Sequence, residues 1–360
     1  MKIIAVINVI LILISCVSCK NNTAGEIVTN EVNITDEVNV TDEVNATDEK
    51  LVSCFSTYEV ENYQKDYSSL DGGIDGYNVY MSEICTKEEF AVTKYKTLVR
   101  YNGDKRDNII IPEGVLRIFS GAFRRTSDIK NIIIPSSVEK IDNGLTVKEC
   151  INIKVDKNNK FFSDTDGVLF DKEKNTILAY PQRRQDKIYQ IPNGVKKINA
   201  YAFGGCSFLK EVIINKDMEV ISDAAFSSSY IKEITIPKNI VSIEGMAFDG
   251  CESLEEIIFE EGITYIADKA FNHCTMLENI KIPNTVTTIG KYFVHGCTNL
   301  EYIIIPSSVK KINGKLYDED SKFQYNGLLY VEKGSYAEKY AKENGYKYKY
   351  YDFEKNQVIS

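Results

Sequence analysis

From about residue 108 the chain repeats itself, and a fixed internal period narrows the possible folds more than any local propensity does. An apolar residue followed by a step position recurs at Pro112, Pro135, Pro192, Asn215, Pro237, Glu260, Pro283 and Pro306, with intervals of 23, 57, 23, 22, 23, 23 and 23 residues. From Pro192 the apolar residues are Val195, Ile198, Ala202, Phe203, Cys206, Leu209, Val212 and Ile214. From Pro283 they are Val286, Ile289, Tyr292, Phe293, Cys297, Leu300, Ile303 and Ile305, read as the same eight positions. Such a unit suits a coil that turns one row of side chains inward. No unit can bury that row by itself, so the coils must stack.

The consensus Ile-Pro-x-x-Val-x-x-Ile-x-x-x-Ala-Phe-x-x-Cys-x-x-Leu-x-x-Ile-x-Ile-Pro resembles the treponemal-type, BspA-like leucine-rich repeat family over roughly residues 98–351. The resemblance implies an α+β solenoid: a curved parallel sheet on the concave face, short helical or irregular turns on the convex face, an inserted strand hairpin and a C-terminal capping helix. Asn158 to Phe161, Asp166 to Phe170 and Ala179 to Pro181 resemble that hairpin, which accounts for the 57-residue interval. Lys333 to Gly345 resembles the closing helix, with Ser335 as N-cap and Gly345 just past the end. Two units depart from the consensus. After Pro135, Leu145-Thr146 stands in place of Ala-Phe and Cys150 comes one place late. The unit from Asn215 is one residue short, with Ser228-Ser229 in place of Cys.

The N-terminus reads as an export signal: Lys2, then an apolar run from Ile3 to Ile14, too short to span a bilayer. It ends in Leu13-Ile14-Ser15-Cys16, which resembles a bacterial lipobox with Cys16 as the lipidated residue and Cys19 as the alternative. Residues 16–50 are then a lipidated acidic tether, repeating Glu-Val-Asn from Glu31, Glu37 and Glu43, with too little apolar surface to order itself. The expected organisation is a signal peptide over 1–15, the tether over 16–50, a lead-in over 51–97, the solenoid over 98–330 with its insert at 157–187, and a cap over 331–360. Membrane attachment through the lipid places the protein on a bacterial surface, in the outer membrane by expectation.

A net charge of −9 opposes a nucleic-acid partner, whose phosphates need clustered cations. Cys206, Cys251, Cys274 and Cys297 lie fourteen residues after their steps, which stacks them inside the coil as small apolar residues. Cys54 and Cys85 lie outside that ladder, and export permits a disulfide between them. His273 and His295 each precede a ladder cysteine, but at different offsets and next to inward-pointing thiols, so they read as surface turn residues rather than as partners of a nucleophile. There is no Gly-rich phosphate loop after a strand, no G-x-S-x-G, no H-E-x-x-H and no Ca-loop spacing. The expectation is a protein that is not an enzyme and needs no cofactor or metal.

The strand before each step carries more information. Alternation sends the middle residue of Ile-x-Ile outward while its neighbours point in. The outward row is Ile110, Ile133, Gln190, Ile213, Thr235, Ile258, Lys281 and Ile304, with five isoleucines expected to be exposed. Two places earlier on the same face stand Asn108, Asn131, Ile188, Glu211, Glu233, Glu256, Asn279 and Tyr302. An aliphatic row beside an acidic segment forms an amphipathic groove for a protein partner with apolar and basic groups. The resemblance adds surface display and attachment to host, matrix or other-cell proteins. The alternative is a structural or periplasm-facing lipoprotein that binds components of its own envelope.

Overall fold

The computed structural model describes residues 89–359 apart from 104–106, 125, 127, 144 and 318–326. The lipobox cysteines Cys16 and Cys19, the tether, Cys54, Cys85 and most of the lead-in lie outside the described residues. The chain divides into residues 1–45 and residues 46–360, and the described part of the second unit is a parallel β-solenoid. Among the described residues no helix is long and apolar enough to cross a membrane.

From Pro192 onward the coils are built on three hydrogen-bonded sides. The first is the expected sheet: Glu211–Ile213 pairs in parallel with Ile188–Gln190 and with Glu233–Ile236, which pairs with Glu256–Phe259. The same strand type recurs at Asn108–Ile110, Asn131–Ile134 and Asn152–Val155, and at Asn279–Lys281 and Tyr302–Ile305. A second parallel sheet, not foreseen, consists of two-residue strands: Val220–Ile221, Ser242–Ile243, Tyr265–Ile266, Thr288–Ile289 and Lys311–Ile312. The third side is the turn segment, whose backbone also forms a regular ladder. Ala224, Phe226 and Ser228 donate their N–H groups to the carbonyls of Gly245, Ala247 and Asp249 at 2.7–2.9 Å, and Met246, Phe248 and Gly250 repeat the pattern one coil on.

Two columns of left-handed residues bound that ladder. Tyr201, Ala224, Met246, Lys269 and Tyr292 form one, with φ of 50–58°, and Gly205, Ser228, Gly250, His273 and Gly296 form the other, with φ of 55–75°. Glycine occupies three of the five places in the second column because it meets no Cβ penalty there.

Columns of identical side chains fill the interior. Tyr180, Phe203, Phe226, Phe248 and Phe271 stack ring on ring, with centroids 5.1–5.2 Å apart and interplanar angles of 2–26°. That spacing is close to the separation of adjacent strands, so the ladders and the stack reinforce one another. The equivalence of Phe203 and Phe293 needs correcting. Phe293 falls one place earlier, at the alanine position, and buried Val294 takes the phenylalanine position.

The cysteine column lies beside the rings. The thiols of Cys251, Cys274 and Cys297 donate to the carbonyls of Phe226, Phe248 and Phe271 at 3.0–3.2 Å. All the described cysteines are unbridged and buried. In the short unit Ser229 occupies the cysteine position, buried, with its Oγ 3.4 Å from the Cys251 sulfur. The missing residue therefore falls between Ser229 and buried Ile231. Where Asn215 replaces the step proline, its amide donates to the carbonyls of Pro192 and Val195 and its oxygen accepts from Asp217 and Met218, which closes the corner. Asn159 does the same against Pro135 and Val138.

Asn159 also reveals a step that the spacing concealed. Strand Asn152–Val155 pairs with Asn131–Ile134, so a complete coil ends at Val155-Asp156 before the insert begins. In the insert Phe162–Thr165 and Val168–Asp171 are antiparallel. A third strand, Thr176–Ala179, pairs back on the second and then joins Lys197–Ile198 in parallel, returning the chain to the two-residue-strand sheet. The middle strand divides the core, with Val168 and Phe170 on the large C-terminal side and Leu169 with Phe162 on the N-terminal side.

The helix Tyr336–Glu343 closes the C-terminal end. Ser335 caps it by accepting from the Glu338 N–H at 3.2 Å, Asn344 is the C-cap, and Gly345 follows at φ 72°. Ala337, Tyr340 and Ala341 pack on the last coils. Glu338 accepts from Lys342, from the Gly334 N–H at 2.6 Å and from the Tyr350 hydroxyl at 2.9 Å, and these donors hold its carboxyl down at about 2.

Removing one ring from the stack leaves a void that the flanking rings cannot fill. Phe248→Ala is expected to cost about 3–5 kcal/mol in urea unfolding; a loss below about 1 kcal/mol would contradict a close-packed column. Because the Glu338 carboxyl is depressed in the folded state, its stabilisation is present above the ordinary glutamate range and is lost as pH falls toward 2. Glu338→Gln should therefore lower the melting temperature at pH 7 and flatten its decline between pH 5 and pH 2.

Candidate functional site

The outer face of the three- and four-residue strands is the candidate site. Main-chain groups on this face are consumed by the parallel ladders, so what it presents is side chains in columns. Ile110 is 64% exposed, Ile213 41% and Ile258 48%. Thr235 and Lys281 are also exposed, and Ile133 is half-buried between Ile110 and Lys154. In the neighbouring column Ile188, 55% exposed, heads a run of Glu211, Glu233 and Glu256 in direct register. Glu233 and Glu256 are exposed and Glu211 is half-buried. Asn131 donates its side-chain amide to Asn108 at 2.7 Å, and Tyr302 is half-buried beside Asn279.

Ile304 was expected to be exposed and is not: it retains 7% of its surface. The next strand places Tyr330 beside it. Tyr330 packs against Tyr302 at 5.4 Å and against Tyr351 at 5.8 Å, and Tyr351 packs against Phe353 at 5.0 Å. The hairpin of Tyr348–Asp352 and Gln357–Val358 brings Asn356 to this corner, where its side-chain oxygen accepts from Lys281 at 2.6 Å and from the Tyr351 hydroxyl at 2.8 Å. The exposed aliphatic row is therefore shorter than the sequence pattern implies. No local signal marked Asn356 as the partner of Lys281, because they are 75 residues apart.

The described cysteines are buried in the core. Burial pushes the Cys251 thiol up to about 12, and Cys206 and Cys274 are raised by the same cause, so these thiols are held far from ionisation. His273 occupies a left-handed turn position, which histidine tolerates better than bulkier residues. Its ring meets that of His295 edge-on, with centroids 5.3 Å apart. Among the described residues no group of three or more His, Cys, Asp or Glu side chains is placed to hold a metal ion.

A search of curated proteins finds no match. Among solved structures, a leucine-rich repeat protein from Eubacterium ventriosum is 24% identical with a TM-score of 0.48, the alignment covering 57% of this chain and 56% of that one. The pneumococcal vaccine antigen PcpA is 19% identical with a TM-score of 0.46, covering 69% and 68%. A leucine rich cell surface protein from Faecalibacterium prausnitzii is 27% identical with a TM-score of 0.40, covering 60% of each chain. The chain thus spans less than two thirds of the Eubacterium and Faecalibacterium proteins. The model of the BspA type leucine rich repeat region matches in 6 copies over residues 89–172 and 196–324, which is more than half of the sequence. The chain belongs to the BspA type leucine rich repeat family.

Proposed function

We propose that the protein is a non-catalytic, surface-displayed binding module that attaches to host, matrix or other-cell proteins through the outer face of its longer-strand sheet. Leucine-rich repeat solenoids are in general scaffolds for protein–protein contact, and that coarse role follows from family membership. The adhesive reading is supported by one observation above the others: exposed Ile213 and Ile258 share a sheet with an acidic column, and Ile110 is exposed on the outer side of the N-terminal three-stranded sheet. Water disfavours such a row, and a partner with apolar and basic groups would complement both columns. Lipidation at Cys16, or at Cys19, would hold the protein on a membrane, with residues 16–50 as the acidic tether.

The test is binding of the protein to a panel of matrix and host-surface proteins, beside a variant carrying Ile110→Ser, Ile213→Ser and Ile258→Ser. All three substitutions are exposed, so the variant should retain its melting temperature within a few degrees while losing at least about tenfold in affinity. Absence of binding by either form would favour the envelope-structural role, and equal binding by both would move the site off this face.

A further inference from the structure

We infer that the outer face of the four strands from Ile188 to Phe259 takes a cationic peptide segment in the polyproline II conformation, lying along the solenoid axis with an aliphatic residue at every third position. The inference rests on the proposed binding role and specifies the partner of the same face. Three physical features select that occupant.

The first is the state of the backbone. Strands Ile188–Gln190, Glu211–Ile213, Glu233–Ile236 and Glu256–Phe259 are paired side by side within one sheet. A ligand lying across them is offered no main-chain donors or acceptors, so its own backbone must be satisfied by itself or by water. A polyproline II segment meets that condition, since it has no internal hydrogen bonds and a solvated backbone.

The second is charge. Glu211, Glu233 and Glu256 stand in register on adjacent strands, about 4.8 Å apart, an arrangement that is unfavourable without a counter-charge. Among the described residues none of the three is in an ion pair. Of the three lysines that precede these strands, Lys232 pairs with Glu255 at 2.7 Å and Lys210 donates to the Tyr230 carbonyl at 3.4 Å, while exposed Lys187 precedes Ile188, on the strand without a glutamate. Lys281, on the next coil, is seated on Asn356. The carboxylate column therefore remains open to cations from a partner.

The third is spacing. Exposed Ile213 and Ile258 are separated by the Thr235 strand, which puts them about 9.6 Å apart along the axis. Three residues of polyproline II advance about 9.3 Å. Alternate residues of an extended strand advance only about 6.7 Å, and two turns of α-helix about 10.8 Å, so both drift out of step with the columns within a few coils.

The full chain is tested by fluorescence anisotropy at about 0.15 M salt against three labelled peptides. These are four Pro-Lys-Leu triplets, four Pro-Glu-Leu triplets, and a peptide of the first composition with its leucines moved to alternate positions. The first should bind about tenfold more tightly than either control. That preference should fall about tenfold in a variant with Glu211→Gln, Glu233→Gln and Glu256→Gln, and also in one with Ile213→Ser and Ile258→Ser. Equal binding of the three peptides, absence of binding, or indifference to both variants overturns the inference. If the peptides fail while the protein panel still responds to the isoleucine variant, only the polyproline assignment falls; if both fail, the binding role falls with it.

Discussion

Everything in this molecule depends on the stacking of one coil on the next. A coil carries a single inward row of apolar side chains and has nothing of its own to bury them against, so its hydrophobic stabilisation exists only at the two surfaces it shares with its neighbours. Backbone ladders fix the coil separation, and that separation suits a ring-on-ring column such as Tyr180 to Phe271. Side-chain hydrogen bonds tie down the remaining polar groups. The thiols of Cys251, Cys274 and Cys297 each donate to a phenylalanine carbonyl of the coil before, and Asn215 and Asn159 close corners through pairs of carbonyls. Column positions tolerate substitution when the replacement keeps the column's chemistry, as Ser229 does beside Cys251.

The same linear logic explains the two interruptions. The insert interposes a strand with apolar side chains on both faces, so that Leu169 belongs to one core and Val168 with Phe170 to the other. At the other end the capping helix covers the last coils, and its Glu338 ties the helix N-terminus to Tyr350 in the following strand. The hairpin beyond brings Asn356 to Lys281 and packs Tyr351 on Tyr330, the residue beside Ile304.

The period, the inward row and the outer-face register were legible in the sequence because a buried position must be apolar in every coil, and repetition makes that requirement visible. The step at Val155-Asp156 was hidden because no proline marks it and the insert follows at once. The two-residue strands were missed because two residues carry no alternation, and the turn ladder because it is made by backbone atoms of residues as different as Ala224, Met246 and Lys269. Phe293 looked equivalent to Phe203 because the local pattern of Tyr-Phe imitates Ala-Phe, and only the coil geometry separates the two places. The burial of Ile304 was illegible for a different reason, since Tyr330, Tyr351 and Asn356 lie far along the chain and carry no repeat signature.

Substitution within columns and exposure outside them divide the described residues into an interior that maintains the stack and an outer strand face that carries the proposed binding site. Carboxyl footprinting of the free and partner-bound protein tests that division most directly. The expected result is that Glu211, Glu233 and Glu256 lose labelling on binding while Asp223 and Glu244, on the two-residue-strand side, keep theirs. Unchanged labelling of the three glutamates, with protection on that other side, would contradict it.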